Sequence, residues 1–279
     1  MVKFAHTIFA MPFAIVGYFL GVLYAGVGFS WKTLLLVILC MVFARNSAMG
    51  FNRYIDRFID ARNPRTLQRE LPAGLITPGF ALIFVIVNAV VFVVLCKMLN
   101  TLVFYLSALA LSVIFGYSLA KKFTSFCHFI LGLALSFAPI GAYLAVTGVF
   151  DILPVLFSLL VLFWVSGFDI IYSLQDKDFD VREGLFSIPA WLGLRGALLI
   201  AKFAHTITGF LVVFIGFYTD FGIWYVIGAA IFIFLLIYQH LIVKHDDLSR
   251  VDAAFFRYNG IAAIVFAVFT VLDLFANLN

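Results

Sequence analysis

The sequence predicts an all-α polytopic membrane protein, and three observations carry that prediction. Hydrophobic residues make up 65% of the 279 and charged residues 11%, against about 45–50% and about 25% in soluble domains. One core of this size cannot hide that much apolar surface. The apolar runs are also long and continuous, near the roughly 20 residues a helix needs to cross a bilayer. A transmembrane barrel would show short alternating segments instead. Finally, the basic residues crowd into alternate loops. Disorder is excluded by the same composition, since disordered chains are poor in hydrophobes.

Nine spans follow in order, near 8–28, 33–51, 80–97, 101–119, 126–147, 153–173, 194–217, 221–243 and 254–276. The first begins within ten residues of the start. It is long and no A-x-A site follows it, so it reads as a helix that stays rather than a cleaved signal. Most breaks are short and carry turn chemistry, such as Gly28-Phe29-Ser30, Asn100, Gly148 and Asp151. Two are long, at 52–79 and 174–193. With nine spans, one side receives Lys3, Arg53, Arg57, Arg62, Arg65, Arg69, Lys121, Lys122, Lys177, Arg182, Arg195, Lys244 and Arg250, thirteen in all. The other side receives Lys32 and Lys97. The positive-inside rule then places the N-terminus and both long loops in the cytoplasm. The net charge of +4 is thereby explained without nucleic acid. The expectation is one transmembrane domain over 1–279, integral to an inner (cytoplasmic) membrane, with pseudo-repeated halves.

Cys40, Cys96 and Cys127 lie in or beside apolar runs without CxxC spacing, and read as small core hydrophobes. His6, His128, His205, His240 and His245 make no metal-ligand spacing together and read as structural or interfacial. No nucleotide loop or nucleophile elbow is present.

Half of the chain's 32 charged residues fall in two short stretches, 45–70 and 169–184. Two solvated loops would not explain the order within them. The first stretch reads Asn52-x-x-x-Asp56-x-x-x-Asp60. If the second helix runs past the membrane surface, four-residue spacing sets all three on one face. The second stretch reads Asp169-x-x-Tyr172-x-x-x-Asp176-x-x-x-Asp180, and a regular helix would place its three carboxylates in one stripe. Stacked carboxylates repel one another unless cations occupy them. Arg45 and Asp169 each precede their motif by seven residues, or roughly 10 Å of helix. They sit deeper on the same faces, where ionisable residues are functional candidates. A mutual Arg45–Asp169 ion pair between helices is the plainer alternative.

Two carboxylate sets suit Mg²⁺, which keeps waters and completes its shell with phosphate oxygens. Arg62, Arg65 and Arg69 follow the first set, and Lys121 and Lys122 add two cations from another loop. Guanidinium forks suit phosphate oxygens, although orientation and lipid contact also account for loop basics. The pattern points to a diphosphate at the cytoplasmic surface.

At this point the sequence resembles a known family. The stretch Arg45 to Thr66, with Arg69-Glu-Leu-Pro-Ala-Gly after it, looks like the first signature of the UbiA superfamily of intramembrane prenyltransferases. Asp169-Ile-Ile-Tyr172-Ser-Leu-Gln175-Asp176-Lys-Asp-Phe-Asp180, with Ser187-Ile-Pro after it, resembles the second. Tyr117-Ser, Lys121-Lys, Thr124 and His128 match the 4-hydroxybenzoate branch, which includes prenyltransferases of ubiquinone and futalosine-type menaquinone synthesis. The resemblance covers nearly the whole chain. It implies a nine-helix prenyltransferase bundle and Mg²⁺-dependent transfer of a polyprenyl group to an aromatic acid.

The resemblance also implies roles. Asn52, Asp56, Asp60, Asp176 and Asp180 would hold Mg²⁺ against a polyprenyl diphosphate. Lys121, Lys122, Arg62 and Arg65 would bind the phosphates. Arg45 would hold the acceptor's carboxylate, Asp169 would orient the acceptor or take its ring proton, and Tyr172 would line the reaction centre. The expected partners are those two substrates and the bilayer, with no nucleic acid and no obligate protein partner. The rival readings are a transporter using the intramembrane carboxylates and a family member with another lipid or ring acceptor. The Asp-Gly and Ala-Arg elements of CDP-alcohol phosphotransferases are not in the right places.

Overall fold

A computed structural model describes residues 9–277. Lys3, His6 and the very start of the first expected span lie outside them. The described residues are almost entirely helical, with one isolated bridge between Lys244 and Asp247. Among them, eight helices are long and apolar enough to cross a membrane. A shorter apolar helix, Met11–Tyr24, stands where the first span is expected.

That helix, α1 (Met11–Phe19), ends in a wider turn over Leu20–Tyr24. It stops four residues before the expected end, because Gly26 takes a φ of 70° that only glycine adopts readily. Helix α2 (Trp31–Asp60) starts at Ser30, whose hydroxyl accepts the Thr33 N–H and so satisfies an otherwise orphaned donor. It runs without a break nine residues past the apolar span, carrying the first charged motif. Helices α3 (Pro78–Leu99) and α4 (Thr101–Ala120) meet at Asn100, whose side chain caps α4. Helix α5 (Cys127–Thr147) contains Pro139 and ends at left-handed Gly148.

Helix α6 (Ile152–Ser173) passes into a tighter 3₁₀ turn, Leu174–Asp176, and then into α7 (Lys177–Glu183). The regular helix expected from Asp169 to Asp180 is therefore interrupted. Each 3₁₀ residue turns roughly 20° further than an α residue, so Asp176 and Asp180 rotate away from the Asp169 stripe. Helix α8 (Ile188–Thr219) begins with one turn capped by Ser187 and breaks at Gly193, whose φ is 70°. The break falls where the apolar span was expected to begin. Helices α9 (Ile223–Ile242) and α10 (Asn259–Asn277) complete the bundle, α10 being preceded by a wide turn over Ala253–Tyr258.

The main core joins α1, α6, α8, α9 and α10 around Trp164, Phe157, Phe232 and Phe266, all fully buried. A polar thread crosses it. Trp164 Nε1 donates to Asn259 Oδ1 at 2.9 Å, and Asn259 Nδ2 donates to Gln239 at 3.1 Å. A second core joins α2, α3 and α4 around Phe92 and Leu95, with the Cys40 and Cys96 thiols 4.0 Å apart. Between these two cores lies a cavity.

Candidate active site

The cavity has a volume of about 560 Å³. Its polar end is lined by Arg45, Asn52, Arg53, Arg69, Tyr117, Asp169 and Tyr172. The rest is apolar, formed by α2 to α5, and reaches Val37, Leu99, Val103 and Leu144. From Asn52 to Val37 is fifteen residues of α2, roughly 22 Å of helix. The chamber thus has a cationic mouth and a long hydrocarbon throat.

Around the mouth, each charged motif is tied to partners. On α2, Asn52 Nδ2 donates to Asp56 Oδ2 at 3.1 Å, and Lys121 Nζ lies 3.5 Å from the same oxygen. Asp56 is 2% exposed, and its other oxygen, Oδ1, is buried without a hydrogen bond. Asp60 accepts from Arg69 Nη1 at 2.7 and 2.8 Å, with Arg53 3.8 Å away. Four-residue spacing on one helix is what presents these groups together.

The second motif is held from outside its own helix. Asp176 receives a two-pronged contact from Arg65 and a hydrogen bond from Asn63 Nδ2 at 3.2 Å. Arg65 also donates to the Tyr172 hydroxyl at 2.8 Å. Partial burial works against the Arg65 charge, but its bonds to Asp176 and Tyr172 outweigh that and raise its pKa above the ordinary arginine value. Asp180 accepts from Ser187 Oγ at 2.8 Å. Tyr172 stacks on Phe255 with ring centroids 4.0 Å apart.

The predicted residues therefore separate into groups. Arg45, Asn52, Asp169 and Tyr172 line the cavity. Asp56, Asp60, Asp176, Asp180, Lys121 and Arg65 form the shell around its mouth, and half-buried Lys122 follows Lys121. Arg62 points elsewhere: it is largely exposed and pairs with Glu183 at 2.9 Å. Among the described residues the hydrogen-bond partner of Asp169 is His128, Nδ1 to Oδ2 at 2.7 Å, rather than Arg45. Sequence reasoning gave no site role to Arg53, Tyr117, Asn63 or Phe255, although Tyr117 belongs to the branch match and Asn63 to the first signature. Arg53 directly follows Asn52 and carried a usable signal, since a basic residue beside a carboxylate motif is a phosphate candidate. Phe255 arrives from another segment and carries no local signal.

Among the described residues, no three His, Cys, Asp or Glu side chains converge closely enough to hold a metal. The donor set nonetheless fits a hard cation. Asp56 offers a buried carboxylate oxygen with no partner, and the carboxylates of Asp60 and Asp176 are balanced by guanidinium groups. A buried unpaired carboxylate oxygen is costly, and cation binding relieves it.

The model of the UbiA prenyltransferase family matches residues 10–261. A 4-hydroxybenzoate octaprenyltransferase of Tolumonas auensis is 32% identical over 245 residues, covering 87% of this chain and 85% of that protein. The protein of the same name from Nitrosomonas europaea is 32% identical over 237 residues, covering 84% and 80%. Among solved structures, an apo UbiA homologue from Aeropyrum pernix K1 superposes with a TM-score of 0.85 at 27% identity, covering both chains fully. A UbiA homologue from Archaeoglobus fulgidus bound to GPP and Mg²⁺ shares the fold, with a TM-score of 0.70 at 21% identity and 92% and 95% coverage. The chain belongs to the UbiA prenyltransferase family and is a polyprenyltransferase built as a multi-pass membrane protein.

Proposed function

We propose that this enzyme transfers a polyprenyl group from polyprenyl diphosphate to an aromatic acid, 4-hydroxybenzoate or a dihydroxynaphthoate, in respiratory quinone synthesis. The observation that carries the reading is the two-part chamber, with three arginines and one carboxylate at the mouth and an apolar throat behind. An isoprenoid tail fits the throat, and a diphosphate fits the mouth. The relatives named for 4-hydroxybenzoate support the acceptor class. We also read the chain as one domain with pseudo-repeated halves, set in an inner membrane with its N-terminus and site mouth toward the cytoplasm.

On this reading Arg65 and Arg69 exchange carboxylate oxygens for phosphate oxygens, helped by Arg53 and Lys121. The released Asp60 and Asp176, with Asn52, Asp56 and Asp180, would hold Mg²⁺. Bound there, the ion supplies Lewis-acid stabilisation of the departing diphosphate. The C–O bond of the allylic diphosphate breaks, and its electron pair leaves with the diphosphate. The aromatic rings of Tyr172 and Phe255, which both line the cavity, would stabilise the allylic cation by cation–π attraction. Arg45 holds the acceptor's carboxylate while a ring carbon forms the new C–C bond. The electrons of the ring C–H bond restore aromaticity, and the proton goes to Asp169.

The test uses purified protein in lipid, Mg²⁺ and a labelled long-chain isoprenyl diphosphate. 4-Hydroxybenzoate and 1,4-dihydroxy-6-naphthoate are offered side by side. Prenylation of one acid, abolished by EDTA, by Asp56→Ala and by Asp176→Ala, is the expected result. Mg²⁺-dependent diphosphate binding without product from either acid would overturn the acceptor class. No diphosphate binding would overturn the whole reading.

A further inference from the structure

Asp169 is the one carboxylate among the cavity-lining residues, and the structure supplies it with a dedicated partner. His128, on the first turn of α5, is 4% exposed and does not line the cavity. It stands behind Asp169, with Nδ1 2.7 Å from Oδ2. Its other ring nitrogen, Nε2, accepts the backbone N–H of Ile188 at 3.4 Å. A nitrogen that accepts a hydrogen bond carries no proton, so the neutral ring must carry its proton on Nδ1. Nδ1–H then donates to Asp169. This arrangement commits Oδ2 and leaves Oδ1, which makes no hydrogen bond among the described residues, as the oxygen available to the cavity.

Ile188 is itself anchored. It follows Ser187, whose hydroxyl donates to Asp180 and caps α8. Phe186, one residue earlier, donates its N–H to the Lys121 carbonyl at 2.7 Å. His128 therefore rests on a short segment that also holds Lys121 and Asp180.

We propose that His128 is the positioning residue of the acceptor site: its Nδ1–H fixes the Asp169 carboxylate so that Oδ1 faces the acceptor, and Ile188 fixes the His128 tautomer. The inference rests on the role of Asp169 in the reading above. His128 touches no substrate, so it acts through Asp169. Misplacing a reacting group by about 1 Å costs about a hundredfold in rate.

The experiment compares wild type, His128→Ala, His128→Asn and Asp169→Ala, with the double variant, in the prenylation assay. Asparagine places an amide N–H at the position of Nδ1. His128→Ala is expected to lower kcat about a hundredfold while the KM for prenyl diphosphate stays within twofold, and His128→Asn to recover most of the loss. In the Asp169→Ala background, removing His128 should cost nothing further. Undiminished kcat in His128→Ala would overturn the proposal. So would an equal further loss in the Asp169→Ala background, or a folded His128→Asn as inactive as His128→Ala. If His128→Ala does not fold, the His128→Asn result and its kcat against KM decide alone. Wild type that forms no product with any aromatic acid would instead sink the functional reading. Wild-type turnover matched by His128→Ala would sink the His128 role alone.

Discussion

The two carboxylate motifs look alike in the sequence and are held in different ways. Asn52, Asp56 and Asp60 ride on one unbroken helix, and spacing alone brings them together. Asp176 ends a tight turn and Asp180 follows it, and their partners come from elsewhere: Arg65 and Asn63 from the loop after α2, Ser187 from the start of α8. The first motif is aligned by its backbone, with Lys121 and Arg69 reaching it from outside, while the second is aligned by outside contacts alone. On the proposed reading, a site that takes in a bulky diphosphate gains from one wall aligned by its own helix and one aligned by its neighbours.

Substitutions can break this contrast. The largest effect is expected from Asp56→Asn in the first motif, which keeps the shape and removes the charge. Even outer partners of a metal are worth roughly 10- to 100-fold in affinity or activity, so product formation should fall more than about a hundredfold in a radiolabel assay. Next comes Arg65→Lys, beside the second motif. Lysine cannot make the two-pronged contact, and the KM for prenyl diphosphate should rise about tenfold in initial-rate measurements, a 1.4 kcal/mol change. A fall in KM would mean that Arg65 only latches the site against substrate.

Ser187→Ala removes both the α8 cap and the Asp180 partner. A lost cap costs about 1 kcal/mol, visible as a lower midpoint in a thermal unfolding scan in detergent. Arg62→Ala should be the mildest. An exposed ion pair such as Arg62–Glu183 contributes about 0–1 kcal/mol, and activity should stay within about twofold of wild type in the same initial-rate assay. A tenfold loss would return Arg62 to the phosphate-binding set.

The contrast also explains what could be read in advance. Apolar length located the helices, and the i, i+4 pattern carried α2 out to Asp60, because both are local properties of the chain. The shorter end of α1 and the break at Gly193 turn on single glycines inside otherwise apolar stretches. The tight turn at Leu174–Asp176 was not legible, since periodicity assumes a constant pitch. Asp176 is fixed by Arg65 and Asn63, more than a hundred residues away in sequence. For the same reason the depth match of Arg45 and Asp169 was readable, while the contact of Asp169 with His128, forty-one residues away, was not.

Asn100 lies at the far end of the throat. Its Oδ1 accepts the Val103 N–H at 2.9 Å, and its Nδ2 donates to the Leu144 carbonyl at 2.8 Å. One side chain thus staples the α3–α4 turn to the last turn of α5, and Leu99, Val103 and Leu144 around it all line the cavity. The far end of the throat is thus braced by one polar side chain in a wall otherwise made of hydrocarbon.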